Sequence, residues 1–321
     1  MHGALLKSHI VKILFFTDSR EDYVPDSLLH GLKRLFGSQV VDYPRKDILY
    51  KKDDLSENHK LWGRGFTLYT GLLEDDGADR YDIGQKLQDN FYDLVLIGSI
   101  HRQDHFFKKY QSCLHRRNTL IIDGEDGDVP IWEIDRRLSV LKEYRYYKRE
   151  QANVVRRLFS RPVPLRPISI SYPEEKIHIP SKKTKLFCSH IVDPEVAAHL
   201  KGNVQYIFST EEEYYNDLQA SYFGVTMKRG GWDCMRHYEM AGNGALLCFR
   251  NLDRKPIPCA PHGLSEANAI IYGTADDLIK KTQELRPERR ELLQAESNRW
   301  IRENTTVKCA ERILGDCLKD R

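Results

Sequence analysis

The sequence predicts an α/β protein built from two Rossmann-like, doubly wound units that face each other across a cleft. Three observations carry this reading. Short apolar runs alternate with amphipathic helical stretches twice along the chain, as in parallel sheets covered on both faces. A proline-rich stretch containing Pro162, Pro164, Pro167, Pro173 and Pro180 interrupts the alternation midway. The length, 321 residues, is enough for two separate cores. The units are placed at 1–165 and 181–321, with 166–180 as an extended linker and a long helical segment closing the second.

In the first unit, residues 10–16 (IVKILFF) form an apolar run that ends in Thr17-Asp18-Ser19. It reads as a buried strand entering a polar loop. Lys12 and the lack of a small-residue cleavage site argue against a signal peptide. Pro25 and Asp26 precede a helix, SLLHGLKRLFG, that stops at Gly37. Val40-Val41 is a second strand, and 43–79 is irregular but rich in aromatic residues. Alternation resumes with a helix over 83–90, a strand over 93–97, a loop over 98–102 and a helix over 103–114. The strand 119–122 then runs into the acidic glycine loop 123–128, and 144–150 is dense in aromatic and charged residues.

The second unit repeats the scheme. Strands are expected at 185–188, 204–208, 222–226, 245–249 and 267–272, with helices at 195–200, 211–218 and 276–284. Asp193-Pro194 is an N-cap and first-turn pair, and Asp233 is expected to cap the helix that follows the basic turn MKRGG. From 287 to 317 the pattern is helical.

Lys and Arg total 50 against 47 Asp and Glu, a formal charge of +3 that gives no reason to invoke nucleic acid. Seven scattered cysteines without a CxxC pair suggest neither a zinc site nor a disulfide framework, which makes a reducing, cytoplasmic compartment the expectation. No apolar run reaches membrane-spanning length. The basic pairs Arg116-Arg117, Arg136-Arg137 and Arg156-Arg157 read as solvated faces, with peripheral contact to acidic lipid as the alternative. Neither GxGxxG after a first strand nor a Walker A loop is present, which disfavours dinucleotide and ATPase readings.

Open α/β units bind ligands beyond the carboxyl ends of their strands, where helix N-termini and loop backbone converge. On the second unit that edge carries Lys228, Arg229, Gly230, Asp233, Arg236, His237 and Glu239, a set suited to an anion. On the first unit Asp18, Asp26 (beside His30), His101 and Glu125, with its neighbour Asp126, are candidates for a general base. Helix capping is the alternative role for Asp18 and Asp26, and a backbone-bonded loop histidine for His101. Gly65, Thr67, Lys148 and Arg149 are candidates for acceptor or interface contacts, and Tyr146 and Tyr147 for packing or for an aromatic wall against a sugar.

The stretch YFGVTMKRGGWDCMRHYEMAGNGALLCF resembles the nucleotide-binding segment of GT-B glycosyltransferases. The words DYVPDSLLHGL, GRGFT, DGEDG and YYKRE are similar to those of bacterial glycosyltransferase-like proteins. The resemblance implies a GT-B fold and transfer of a sugar from a nucleotide-sugar donor to a hydroxyl acceptor. Glu239 would take the ribose, and Lys228, Arg229 and Arg236 the diphosphate, with no metal and no cofactor besides the donor. The acceptor would be a saccharide, a lipid-linked molecule or a protein. Gly231 stands eight positions before Glu239, where the family's paired Glu falls, so the stereochemical outcome stays open. Alternatives on the same frame are a non-catalytic nucleotide- or sugar-binding protein and a nucleotide-sugar epimerase-like enzyme.

Overall fold

The computed structural model describes residues 12–52, 60–62, 66, 69–151 and 165–319. Two parallel sheets organise them. The first runs β2-β1-β3-β4-β5-β6, with β1 (Ile13–Phe16), β2 (Val40–Tyr43), β3 (Leu94–Ile97), β4 (Thr119–Asp123), β5 (Arg145–Lys148) and β6 (Arg166–Pro167). The second runs β10-β9-β8-β7, with β7 (Lys185–Phe187), β8 (Ser221–Met227), β9 (Leu246–Arg250) and β10 (Ile270–Tyr272). Every pairing in both sheets is parallel.

The double-sided burial follows from the strand period of two. In β1, Ile13 and Phe15 join a core shared with the helix α1 (Tyr23–Phe36), while Leu14 and Phe16 join the core on the other face. In β9, Leu247 and Phe249 point one way and Leu246 and Cys248 the other. One apolar cluster continues from Phe15 and Leu28 through Tyr172 to Tyr238, Leu247 and Trp300, so the inner faces of the two sheets share packing.

Helices cover the remaining faces. The first sheet also carries α2 (Ile83–Gln88), α3 (Ile100–Tyr110) and α4 (Ile131–Ile134). The second carries α5 (Pro194–Leu200), α6 (Glu211–Ala220), α7 (Met235–Gly242), α8 (Ala275–Gln283) and α9 (Pro287–Glu303), followed by the last helix, α10 (Thr306–Lys319). As the sequence suggests, Asp193 caps α5 by accepting the Glu195 and Val196 N–H groups, with Pro194 in the first turn.

Several local expectations are corrected. The helical stretch 287–317 was placed wholly with the second unit, but it divides at Asn304-Thr305 and α10 lies on α1 of the first. Ala310, Ile313 and Leu314 share a core there with Leu28 and Leu32, and the helices approach so closely that a Cβ on Gly31 would collide with the Thr306 carbonyl. His30 Nδ1 lies 2.9 Å from Thr306 Oγ1 at this crossing. Residues 204–208 are not a strand: Val204 and Ile207 are exposed, while Tyr206 and Phe208 pack with Tyr214. Residues 145–148 are one, because Lys148 enters the interior paired to Asp123 at 3.0 Å. The start of the expected linker contributes β6.

Arg116 pairs with Glu143 and Arg137 with Asp135, so these two basic sites carry nearby counter-charges, and Arg156-Arg157 lies outside the described residues. The seven cysteines are free thiols. Among the described residues no helix is long and apolar enough to cross a membrane.

Candidate active site

The carboxyl ends of the two sheets face a common cavity of about 280 Å³. The loop after β1 brings Asp22, Tyr23 and Val24 to it, and Arg102 comes from the first turns of α3 after β3. The loop after β4 brings Gly124, Glu125 and Asp126, and Arg149 follows β5. From the other side, the turn after β8 and the start of α7 supply Arg229, Gly230, Gly231, Asp233 and Arg236. The strand-edge rule therefore accounts for most of the lining.

Arg236 is the electrostatic anomaly. Its Nε and Nη2 are buried and have no hydrogen-bond partner, although buried donors are nearly always satisfied. Each such orphan costs about 1–3 kcal/mol, and more when charged. Arg236 forms no ion pair with Glu239, three residues on. Its free donors and the exposed Arg229 leave one end of the cavity positive.

Arg149 differs. Its Nε donates to the Gly124 carbonyl at 2.8 Å, its Nη1 to the Asp233 carbonyl at 2.8 Å, and its Nη2 to Asp126. Beside it, Glu150 Oε1 accepts the Asp233 N–H at 2.9 Å and Oε2 the Cys259 thiol at 2.6 Å. The Asp233 carboxylate accepts the Ile170 N–H and the Tyr238 hydroxyl, each at 2.9 Å. Burial pushes this carboxyl up to about 6 against the opposing pull of Arg149. Arg149, Glu150 and Asp233 thus clamp the two edges together. A Cβ at Gly231 would strike the buried Glu150 carboxylate, while one at Gly230 would only push aside the exposed Asp126 carboxylate.

Asp22 is the cavity carboxylate best suited to proton transfer. Its N–H donates to Asp26 Oδ2 at 2.9 Å, and its Oδ2 lies 3.8 Å from Arg102 Nη1. Burial, then Asp26, raises its pKa to about 6, opposed by Arg102 and Lys46 and reinforced by Glu125.

The sequence-predicted residues sort accordingly. The cavity gathers Glu125, Arg149, Arg229, Gly230, Asp233 and Arg236. Asp26 is buried against Lys46 at 2.9 Å, and burial raises its pKa. It holds the start of α1. Asp18 caps its own loop through the Arg20 N–H at 3.0 Å and sits 3.7 Å from Lys46. His101 is in the first turn of α3 rather than a loop, and its Nε2 is 3.2 Å from the buried Asp123. Lys148 is buried on the same Asp123, and Tyr146 and Tyr147 are fully buried packing residues.

Lys228 lies outside the cavity lining, with its ammonium 5.3 Å from the Trp232 ring centroid. His237 is fully buried against Phe249, and burial, then Arg236, holds its pKa well below the histidine range. Glu239 is also buried. It accepts the Tyr214 hydroxyl at 2.9 Å, and burial pushes its carboxyl up to about 8. Glu239 lies outside the cavity lining, and its Oε1 is buried without a hydrogen-bond partner. Asp233 does not cap α7 either, because Cys234 occupies the cap position and the Asp233 carboxylate is engaged elsewhere. Gly65 and Thr67 lie outside the described residues.

Asp22 and Trp62 line the cavity as well, and neither belongs to the sequence-predicted set. Asp22 had a signal, its place after the first strand. Pro25 points to a later helix start, whereas the first turn of α1 tolerates Pro25 as its third residue, where N–H groups lack helical partners.

No protein-family model matches the chain, and no curated protein does. Solved structures do. HepE of Anabaena, in complex with UDP and glucose, aligns over 98% of this chain and 100% of its own, at 9% identity and TM-score 0.54. The glycosyltransferase of Rickettsia africae aligns over 97% of this chain and 100% of its own, at 10% identity and TM-score 0.55. Sucrose-phosphate synthase of Thermosynechococcus elongatus aligns over 96% and 98%, at 8% identity and TM-score 0.53. The fold is GT-B-like. In this GT-B-like frame the cavity occupies the cleft between the two sheets.

Proposed function

We propose that the protein transfers a glycosyl unit from a nucleoside diphosphate sugar to a hydroxyl acceptor, without a metal ion. The observation that carries this is the unpartnered guanidinium of Arg236, turned into a cleft between the carboxyl edges of two sheets. As the glycosidic bond to phosphate breaks, its electron pair leaves with the nucleoside diphosphate, and negative charge grows on the leaving oxygens. Arg236 and Arg229 stabilise that charge. Asp22 accepts the proton of the acceptor hydroxyl as its oxygen bonds to the sugar carbon, in place of Asp18, Asp26 and His101. Glu125 is the second carboxylate at this end.

The UDP and UDP-glucose complexes of HepE support a uridine donor as the first to test. Calorimetry should detect UDP binding to the wild type and a loss of about 3 kcal/mol, roughly a hundredfold, in Arg236→Ala, for two charge-assisted hydrogen bonds removed. Arg236→Lys should recover only part, because an ammonium lacks the planar fork. EDTA should leave donor turnover unchanged. Equal UDP affinity in wild type and Arg236→Ala would sink the reading.

A further inference from the structure

The cavity has two chemically different ends. One end carries Arg229 and Arg236, with Asp126 there paired to Arg149, while Asp22, Glu125, Tyr23 and Trp62, with Arg102, form the other. The aromatic end is held in place. The Tyr23 and Trp62 ring centroids are 5.7 Å apart at 44°. The Trp62 backbone N–H donates to Glu21 Oε1 at 3.0 Å. Arg102 donates to the Glu21 carbonyl at 2.9 Å and sets its guanidinium 5.5 Å from the indole centroid. Even so, Trp62 keeps 48% of its surface exposed.

A lone exposed aromatic residue needs no explanation. An anchored one beside cavity carboxylates does. A rigid indole gives contact area at little entropic cost and prefers ligands that are apolar on one face and polar at the edges. The neighbouring carboxylates restrict the choice further. A wholly apolar ligand would strip water from Asp22 and Glu125 and give nothing back. An anionic ligand would meet both carboxylates, and the cation beside them, Arg102, is already held by Asp22 and the Glu21 carbonyl. A ring with an apolar C–H face and several hydroxyl donors satisfies both the indole and the acids.

We infer that this end binds a neutral carbohydrate, with its C–H face on Trp62 and its hydroxyls donating to Asp22 and Glu125. A saccharide, rather than a phosphorylated or lipid-phosphate molecule, is then the acceptor. The word acceptor rests on the transferase reading; the sugar site does not. In the transfer, the acceptor oxygen forms the new bond to the sugar carbon, its proton passes to Asp22, and the nucleoside diphosphate departs with the electron pair of the broken bond.

The test is saturation-transfer NMR on the full chain with maltose, cellobiose, lactose and chitobiose, and with glucose 6-phosphate as the anionic probe. UDP affinity is measured by calorimetry on the same samples. At least one neutral disaccharide should show transfer to its ring C–H protons. Its affinity should fall by about tenfold or more in Trp62→Ala, be partly restored in Trp62→Phe, and leave UDP affinity within about twofold. The half-exposed position of Trp62 allows the variant to fold. The inference is overturned if no neutral disaccharide binds up to about 20 mM, well above the ~1 mM scale of weak sites. It is equally overturned if binding survives Trp62→Ala or if glucose 6-phosphate binds better. Trp62-dependent sugar binding without UDP binding upholds the sugar site and sinks the transferase reading alone.

Discussion

Replacing Asp22 with Asn separates a catalytic carboxylate from a structural one, because the two roles predict opposite effects on stability. Asp22 is mostly buried, and its pKa is raised from 3.8 to about 6, chiefly by desolvation. A carboxyl whose folded pKa is raised stabilises the fold fully below its unfolded value, and this contribution is lost as pH rises through the folded value. Two pH units correspond to ~3 kcal/mol, an upper bound for a group near a cavity mouth. Asn carries no such penalty. Urea denaturation should show Asp22→Asn no less stable than wild type at pH 8, with the difference between the two shrinking towards pH 4.

Activity should move the other way. A general base contributes about 10²–10⁴ to turnover, so Asp22→Asn should lose that much donor-to-acceptor transfer at pH 8. Wild-type turnover should rise through a limb near pH 6, falling roughly tenfold between pH 7.5 and pH 5 as the base is protonated. Lost activity with retained or increased stability is the signature of a residue kept for function. A variant that keeps wild-type turnover, or loses stability at pH 8 relative to pH 4, would refute the assignment.

Two further outcomes test the surroundings of the cavity. Glu239 is buried with a pKa of about 8, so its stabilising contribution is complete below 4.5 and lost as pH rises towards 8. Glu239→Gln should therefore gain on wild type by up to roughly 5 kcal/mol across that window in urea titrations, and a variant that falls behind at pH 8 removes the buried-acid reading. Arg149→Met deletes the donors to the Gly124 and Asp233 carbonyls and should cost about 3 kcal/mol of unfolding free energy, with Arg149→Lys recovering only part; an unchanged midpoint would show that the clamp contributes nothing.

The architecture was readable because parallel strands buried on both faces leave unbroken apolar runs, as in Ile13–Phe16 and Leu246–Arg250. The same rule missed Arg145–Lys148, whose lysine is admitted to the interior only by a buried aspartate that no local pattern reveals. It also invented a strand at 204–208, where aromatic residues cluster without a sheet. At the site, strand-end position located Glu125, Arg229 and Arg236. Helical spacing could not tell which side of α7 met solvent, because the helix is buried nearly all round. His237 and Glu239 consequently read as exposed and are buried. Trp62 reaches the cavity from an irregular stretch, where periodicity carries no information.

Two of the arginines that line the cleft show why residue type alone misassigns roles. Arg149 and Arg236 both line the cavity and carry the same charge. Arg149 has Nε, Nη1 and Nη2 all engaged, two of them with backbone carbonyls on opposite edges of the cleft, so binding a phosphate would mean breaking the clamp. Its third partner, Asp126, is the carboxylate beside the Gly230-Gly231 turn. Left unneutralised, Asp126 would repel an incoming diphosphate there. Arg149 therefore favours anion binding indirectly, by offsetting Asp126 and fixing the turn, while Arg236 holds the open donors. The difference lies in which hydrogen bonds are already made, and only the folded arrangement determines that.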